Sequence, residues 1–239
     1  MRLGLLRSSA TTAIWRSCAG RQMPLPIKSG SGSVAEPGFR EPSRKTDKKR
    51  FPALRLAEIA LLLAILAAAG LLLRQGYRRY METVYPMKYA AFVNRAAEEY
   101  EFAPSLLFAL IYTESGFDPD AVSSANAKGL MQLTDDTFEW AQQRAGVNPL
   151  MPPQQLFDPE TNIHYGAFVL YLLHQQFGNL DTALAAYNAG QGRVKGWLED
   201  PRYSDDGVTL QEIPYPETAA YGEKIAKAQE MYQELYHIT

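Results

Sequence analysis

The chain has 239 residues, 46% of them hydrophobic, with 24 Lys+Arg against 26 Asp+Glu and a formal net charge of −2. That total hides a division: residues 1–55 hold 12 basic and 3 acidic side chains (Glu36, Glu41, Asp47), net +9, and residues 56–239 hold 12 basic and 23 acidic ones, net −11. The acidic larger part excludes a nucleic-acid partner, because phosphate contacts need clustered Lys/Arg; the single Cys18 excludes an internal disulfide or a cysteine zinc site, and His164, His174 and His237 are too scattered for a metal centre.

Residues 1–52 are expected to be a disordered basic tail. Ser, Gly, Pro and Arg dominate its second half and apolar periodicity is weak. Its first 35 residues carry no acid, superficially like a transit peptide.

An uncharged run follows from Ile59 to Leu73. At 1.5 Å per residue it covers about 22 Å, short of a ~30 Å hydrocarbon core. Extended back to residue 53 it is long enough, with Arg55 near one end to snorkel. Three readings stand: a buried core helix, a cleavable signal ending near Ala67-Ala68-Ala69, and a retained anchor. The run lacks helical amphipathicity, against the first. Cleavage would leave Leu71-Leu72-Leu73 near the new terminus, against the second. A single transmembrane helix over residues 53–73 is therefore expected. Six cations before it (Arg44, Lys45, Lys48, Lys49, Arg50, Arg55) against three after (Arg74, Arg78, Arg79) put the N-terminus inside and the rest outside the cytoplasm.

Residues 74–88 read as a stalk, and residues 89–239 as one mainly α domain with sparse strand signals. Helices are predicted over 89–100, from Pro104 to Glu114, from the Thr134 N-cap to about Ala145, over 159–177, over 181–189 and over about 216–236. On the 159–177 helix, Ile163, Gly166, Ala167, Leu170, Leu173 and Phe177 form one stripe.

One acid stands out. Glu114 ends an otherwise apolar helix, after Leu106, Leu107, Leu110 and Ile111. A carboxyl among apolar neighbours is hard to ionise, so it can still hold a proton near neutral pH and donate it to a glycosidic oxygen. The motifs around it are Glu114-Ser115-x-Phe117-x-Pro119-x-Ala121-x-Ser123, Gly129-Leu130-Met131-Gln132, Asn162-Ile163-x-x-Gly166, Ala186-Tyr187-Asn188-Ala189-Gly190 and Ile213-Pro214-x-x-Glu217-Thr218-x-x-Tyr221.

In this order and spacing the motifs closely resemble the soluble lytic transglycosylase (SLT) domain, over about residues 89–236. The resemblance implies a lysozyme-like fold acting on peptidoglycan glycan strands, with Glu114 as sole general acid and then base. It implies that Ser123, Met131 and Gln132 line the cleft. Tyr187 would sit beside the carboxyl, Asn188 would shape its loop, and Glu217 and Tyr221 would close the site. It further implies cleavage between N-acetylmuramic acid and N-acetylglucosamine by internal attack, leaving 1,6-anhydro ends, with no metal or cofactor; a monomer is expected. Two positions depart from the common pattern. Thr134-Asp135 stand where many members have Met-Pro, and Ala219 where Arg is frequent.

Bottom-up, Gln132 offers an amide to an N-acetyl group and Tyr187 a stacking face with a hydroxyl. The competing readings are a lysozyme-type hydrolase with a second acid, a binding scaffold without turnover, and a wall-opening accessory of a secretion or assembly machine. Asp118 and Asp120 read as turn residues, and Asp135 and Asp136 as helix-start residues, so none is expected in the cleft. His164 and His174 read as surface or core residues.

Overall fold

The computed structural model describes residues 51–239, with side chains from residue 54 onward. The expected tail and Cys18 lie outside the described residues. Eight α-helices and one short 3-10 helix account for the architecture described, and no strand is present there beyond two isolated bridges.

The first helix, α1, spans Phe51–Val84. It is long and apolar enough to cross a membrane, and none of its most apolar window is covered by protein. Leu61, Leu66 and Leu72 are each more than 60% exposed, which removes the core-helix alternative. The helix does not stop at residue 73. Residues expected as a stalk continue it to Val84, because Arg, Gln, Tyr and Met there are all competent helix formers.

Beyond α1 the chain packs around α3 (Pro104–Ser115), the central helix. Ser105 through Ile111 are all buried, so this helix is enclosed on every side. Pro104 starts it and Gly116, at φ 60, ends it in the left-handed region. It lies chiefly along α8 (Pro216–Tyr236) and also meets α2 (Ala90–Glu99). α2 contributes Val93, Ala96 and Ala97 at helical spacing. α4 (Asp135–Arg144) starts where expected, the Thr134 hydroxyl accepting from the Thr137 N–H at 3.2 Å.

The 3-10 helix Pro153–Phe157 leads into α5 (Pro159–Phe177), capped by the Asp158 carboxylate. The whole stripe predicted on α5 is buried. α6 (Leu180–Ala189) packs on α5, and α7 (Gln191–Leu198) follows after Gly190. Neither the 3-10 helix nor α7 was expected. Two glycines lower the helix propensity of α7, which is anchored to the core by Val194, Trp197 and, partly buried, Leu198.

Candidate active site

The C-terminal end of α3, the 116–134 loop, α4 and the end of α6 surround a cavity of about 580 Å³. Glu114 lies on its wall with Ser123, Gln132, Tyr187 and Asn188, all expected from sequence. The helix end is tied down: the Ser115 hydroxyl donates to the Leu130 carbonyl at 2.8 Å. Burial pushes the Glu114 carboxyl up to about 7, against a hydrogen bond from Tyr221 that pulls it down. That bond, from the Tyr221 hydroxyl to Glu114 Oε1, is 2.5 Å long and spans 107 residues of sequence. Burial, with the nearby Glu114 charge, raises the Tyr221 and Tyr187 phenols well above their usual range, so both stay donors.

The loop carrying Ser123 and Gln132 is built from backbone pairs. Gly129 N donates to Ala121 O at 2.9 Å, and Lys128 and Leu133 exchange two bonds. Gly129 has φ +74, and a Cβ there would overlap the Leu156 carbonyl and the Asn162 amide. Gln132 has φ 49, which costs a non-glycine residue about 1 kcal/mol. Its amide nitrogen offsets this by donating to Gly129 O at 2.9 Å and Ala121 O at 3.1 Å. The amide oxygen makes no hydrogen bond among the described residues, which leaves it for a ligand in the cleft.

Asn162, fully buried on α5, holds the Gly129–Gln132 turn from behind. It donates to Lys128 O at 2.9 Å and Leu156 O at 2.8 Å, and accepts from Met131 N at 2.7 Å. The Tyr187 hydroxyl donates to the Met131 carbonyl at 2.9 Å, and Asn188 accepts from the Thr218 hydroxyl at 2.8 Å.

Three expected site residues do not line the cleft with their side chains: Tyr221 is buried and reaches the site only through its bond to Glu114, and Met131 and Glu217 do not reach it. Met131 is fully buried against Gly166 and serves the site through its backbone. Neighbouring residues of a tight turn point to opposite sides, so Gln132 faces the cavity and Met131 the core. Glu217 is exposed on the first turn of α8 and is not part of the cavity wall.

The cavity also holds residues not expected there, chiefly Asp136, Thr137 and Trp140. Asp136 begins α4 as its sequence suggested, yet it faces the cleft, which corrects the reading of it as a helix-start acid alone. Trp140, one turn later, is half-buried with Arg144 over its ring at 5.8 Å. A lone indole on a largely polar helix was the available signal. Its apolar face suits a sugar ring. If the chain cleaves glycan as the motif resemblance implies, Trp140→Ala is expected to raise KM roughly fivefold, a loss of about 1 kcal/mol, with kcat nearly unchanged. Initial rates against glycan concentration check this.

Among the described residues no three His, Cys, Asp or Glu side chains converge as a metal site.

Residues 91–207 match the family model described as "Transglycosylase SLT domain". The chain is 36% identical over 144 residues to the soluble lytic murein transglycosylase of Escherichia coli (strain K12), covering 59% of this chain and 22% of that protein. It is 35% identical over 141 residues to membrane-bound lytic murein transglycosylase C of Haemophilus influenzae (strain PittGG), covering 54% of this chain and 38% of that one. A solved structure of an inactive mutant of lytic transglycosylase Slt from Pseudomonas aeruginosa superposes with a TM-score of 0.57 at 37% identity, covering 64% of this chain and 25% of that chain. The chain thus spans well under half the length of these relatives.

Proposed function

We propose that the chain, whose residues 91–207 match the transglycosylase SLT domain, is a membrane-anchored peptidoglycan lytic transglycosylase. The carrying observation is Glu114, a carboxyl raised to about 7 by burial on the wall of a cleft large enough for sugar rings. Protonated Glu114 donates to the oxygen joining N-acetylmuramic acid to N-acetylglucosamine. The C1–O bond breaks, the glucosamine leaves as an alcohol, and the substrate's own N-acetyl group stabilises the cationic C1. The Glu114 carboxylate then takes the proton of the muramoyl O6 hydroxyl, and O6 bonds to C1. The ring closes as a 1,6-anhydro sugar with no water consumed. Holding O6 and C1 in one sugar makes the second step intramolecular. The family resemblance supports Ser123, Gln132, Tyr187 and Asn188 as substrate-binding residues, and the 2.5 Å bond to Glu114 supports Tyr221 as the group that orients the acid. α1 supports anchorage, and the charge asymmetry about it supports a cytoplasmic N-terminus and an extracytoplasmic catalytic domain.

Asp136 on the same wall favours a second reading, lysozyme-type hydrolysis with a second carboxylate activating water. Mass spectrometry of products from purified peptidoglycan separates the two. Products lighter by one water, with anhydro-muramoyl ends, are expected; reducing ends overturn transglycosylation in favour of hydrolysis.

The Tyr221 bond gives a pH signature. Activity needs protonated Glu114, so it falls as pH rises through about 7. Tyr221 stabilises the carboxylate, so Tyr221→Phe raises the acid's pKa. The descending limb should move up by about one pH unit or more, even as the maximal rate drops. A pH–rate profile that stays in place refutes this role for Tyr221.

A further inference from the structure

The junction between anchor and domain fixes where the cleft works. α1 runs unbroken from the apolar span into the domain. Its last turns are tied to the end of α8 by several contacts. The Arg78 guanidinium donates to the Leu235 carbonyl at 3.4 Å, and also pairs with Glu82 at 2.9 Å. Just beyond α1, the Tyr85 carbonyl accepts from the Tyr236 hydroxyl at 2.7 Å and the Pro86 carbonyl from Tyr232 at 3.2 Å. The Tyr85 ring lies 4.7 Å from Tyr112 on α3 and edge-on to Tyr232 at 5.7 Å.

These ties leave little free helix. Arg78 is five residues past Leu73, about 8 Å along the axis. The headgroup layer on each side of the hydrocarbon is itself roughly 5–8 Å thick. As α8 advances from Tyr232 to Tyr236, its partners step back from Pro86 to Tyr85, with Arg78 reaching Leu235 near the helix end. The C-terminal end of α8 therefore points toward the apolar span. Arg74, Tyr77, Arg79 and Tyr80 are exposed in the short interval, the side chains that favour a headgroup layer.

From this geometry we propose that the α8 C-terminal end of the catalytic domain rests on the membrane headgroup layer, so that the cleft is held rigidly over glycan close to the membrane. The proposal rests on α1 being retained as an anchor; its substrate clause rests on the activity proposed above.

The test uses the full-length chain in lipid nanodiscs. Cys18→Ser removes the native thiol and Glu234→Cys, at an exposed position near the end of α8, carries a fluorophore. A headgroup-attached quencher is expected to quench it strongly. A flexible Gly/Ser insert of about 20 residues between Gln75 and Gly76, with a reach of about 25 Å, should abolish most of that quenching. Quenching no greater in the original spacing than in the insert variant, or a chain that does not stay with the discs, overturns the placement. In the same discs, lipid-linked glycan should be cleaved roughly fivefold faster by the original spacing than by the insert variant, because the insert dilutes the cleft over a larger volume. Soluble glycan fragments should be cleaved equally by both. Equal rates on lipid-linked glycan overturn the substrate clause. Strong quenching without cleavage of either substrate supports the placement and overturns the activity.

Discussion

Glu114→Gln should lose wall cleavage by on the order of 10³-fold or more while making the folded chain more stable at neutral and alkaline pH. The loss follows from the chemistry: one carboxyl both gives and takes the proton, and a carboxamide does neither. The gain follows from linkage. The folded-state pKa is raised from 4.5 to about 7 by burial. Between these values the native state holds a proton that the unfolded chain has released. The Glu114 contribution to stability therefore falls as pH rises from about 4.5 to 7, by up to about 3 kcal/mol, and is constant outside that window. Gln carries no charge to bury and keeps an oxygen to accept from Tyr221. The variant should therefore match the wild type near pH 4 and exceed it at pH 8, by several degrees in Tm. Thermal unfolding of both proteins in detergent at the two pH values checks the stability half, and product release from purified peptidoglycan checks the other. A variant equally stable at both pH values but no better than wild type at pH 8 contradicts the burial argument. Retained cleavage contradicts the assignment of the acid.

What was legible in the sequence was what local chemistry dictates. Pro104, the Thr134 cap and the α5 stripe announce their helices because caps and periodicity act within a few residues. Glu114 drew notice as one acid after an apolar helix, and only the resemblance carried by the motifs around it singled it out as the acid. The bond that poises it was not, since Tyr221 arrives from α8 and only the packing of α8 on α3 brings them together. Trp140 and Asp136 were hidden differently. Each has a sufficient local explanation, in a helix surface and a helix start, and only the loop folded opposite them turns that surface into a cleft wall. The expected membrane span ended at Leu73, and the continuation of α1 through the stalk residues to Val84 was not read. Charge marks where a helix leaves the hydrocarbon, and says nothing of where the helix ends.

Asn162→Ala should be the most damaging substitution away from the acid itself. The side chain is fully buried and makes three hydrogen bonds, all to backbone groups of other segments. Alanine leaves the Leu156 carbonyl and the Met131 N–H without partners and takes one of two donors from the Lys128 carbonyl, which keeps the Leu133 N–H. Each buried orphan costs about 1–3 kcal/mol, so a total loss of about 3–5 kcal/mol is expected, together with a small cavity. Asp at this position cannot rescue it, because an ionised carboxylate accepts from Met131 but donates to neither carbonyl. The damage should also reach activity. Asn162 fixes the Met131 N–H, and the Met131 carbonyl holds the Tyr187 hydroxyl. The same turn carries Gln132 in its left-handed conformation. Releasing it lets Gln132 relax and frees Tyr187 beside the acid. Under conditions where the variant remains folded, kcat/KM should fall by on the order of 10²-fold, since a displacement of about 1 Å can cost that much. Denaturant unfolding measures the first effect and kinetics on glycan the second. Lost stability with normal kinetics would confine Asn162 to the core. Joint loss, not rescued by Asn162→Asp, makes the turn it holds a positioning element of the cleft.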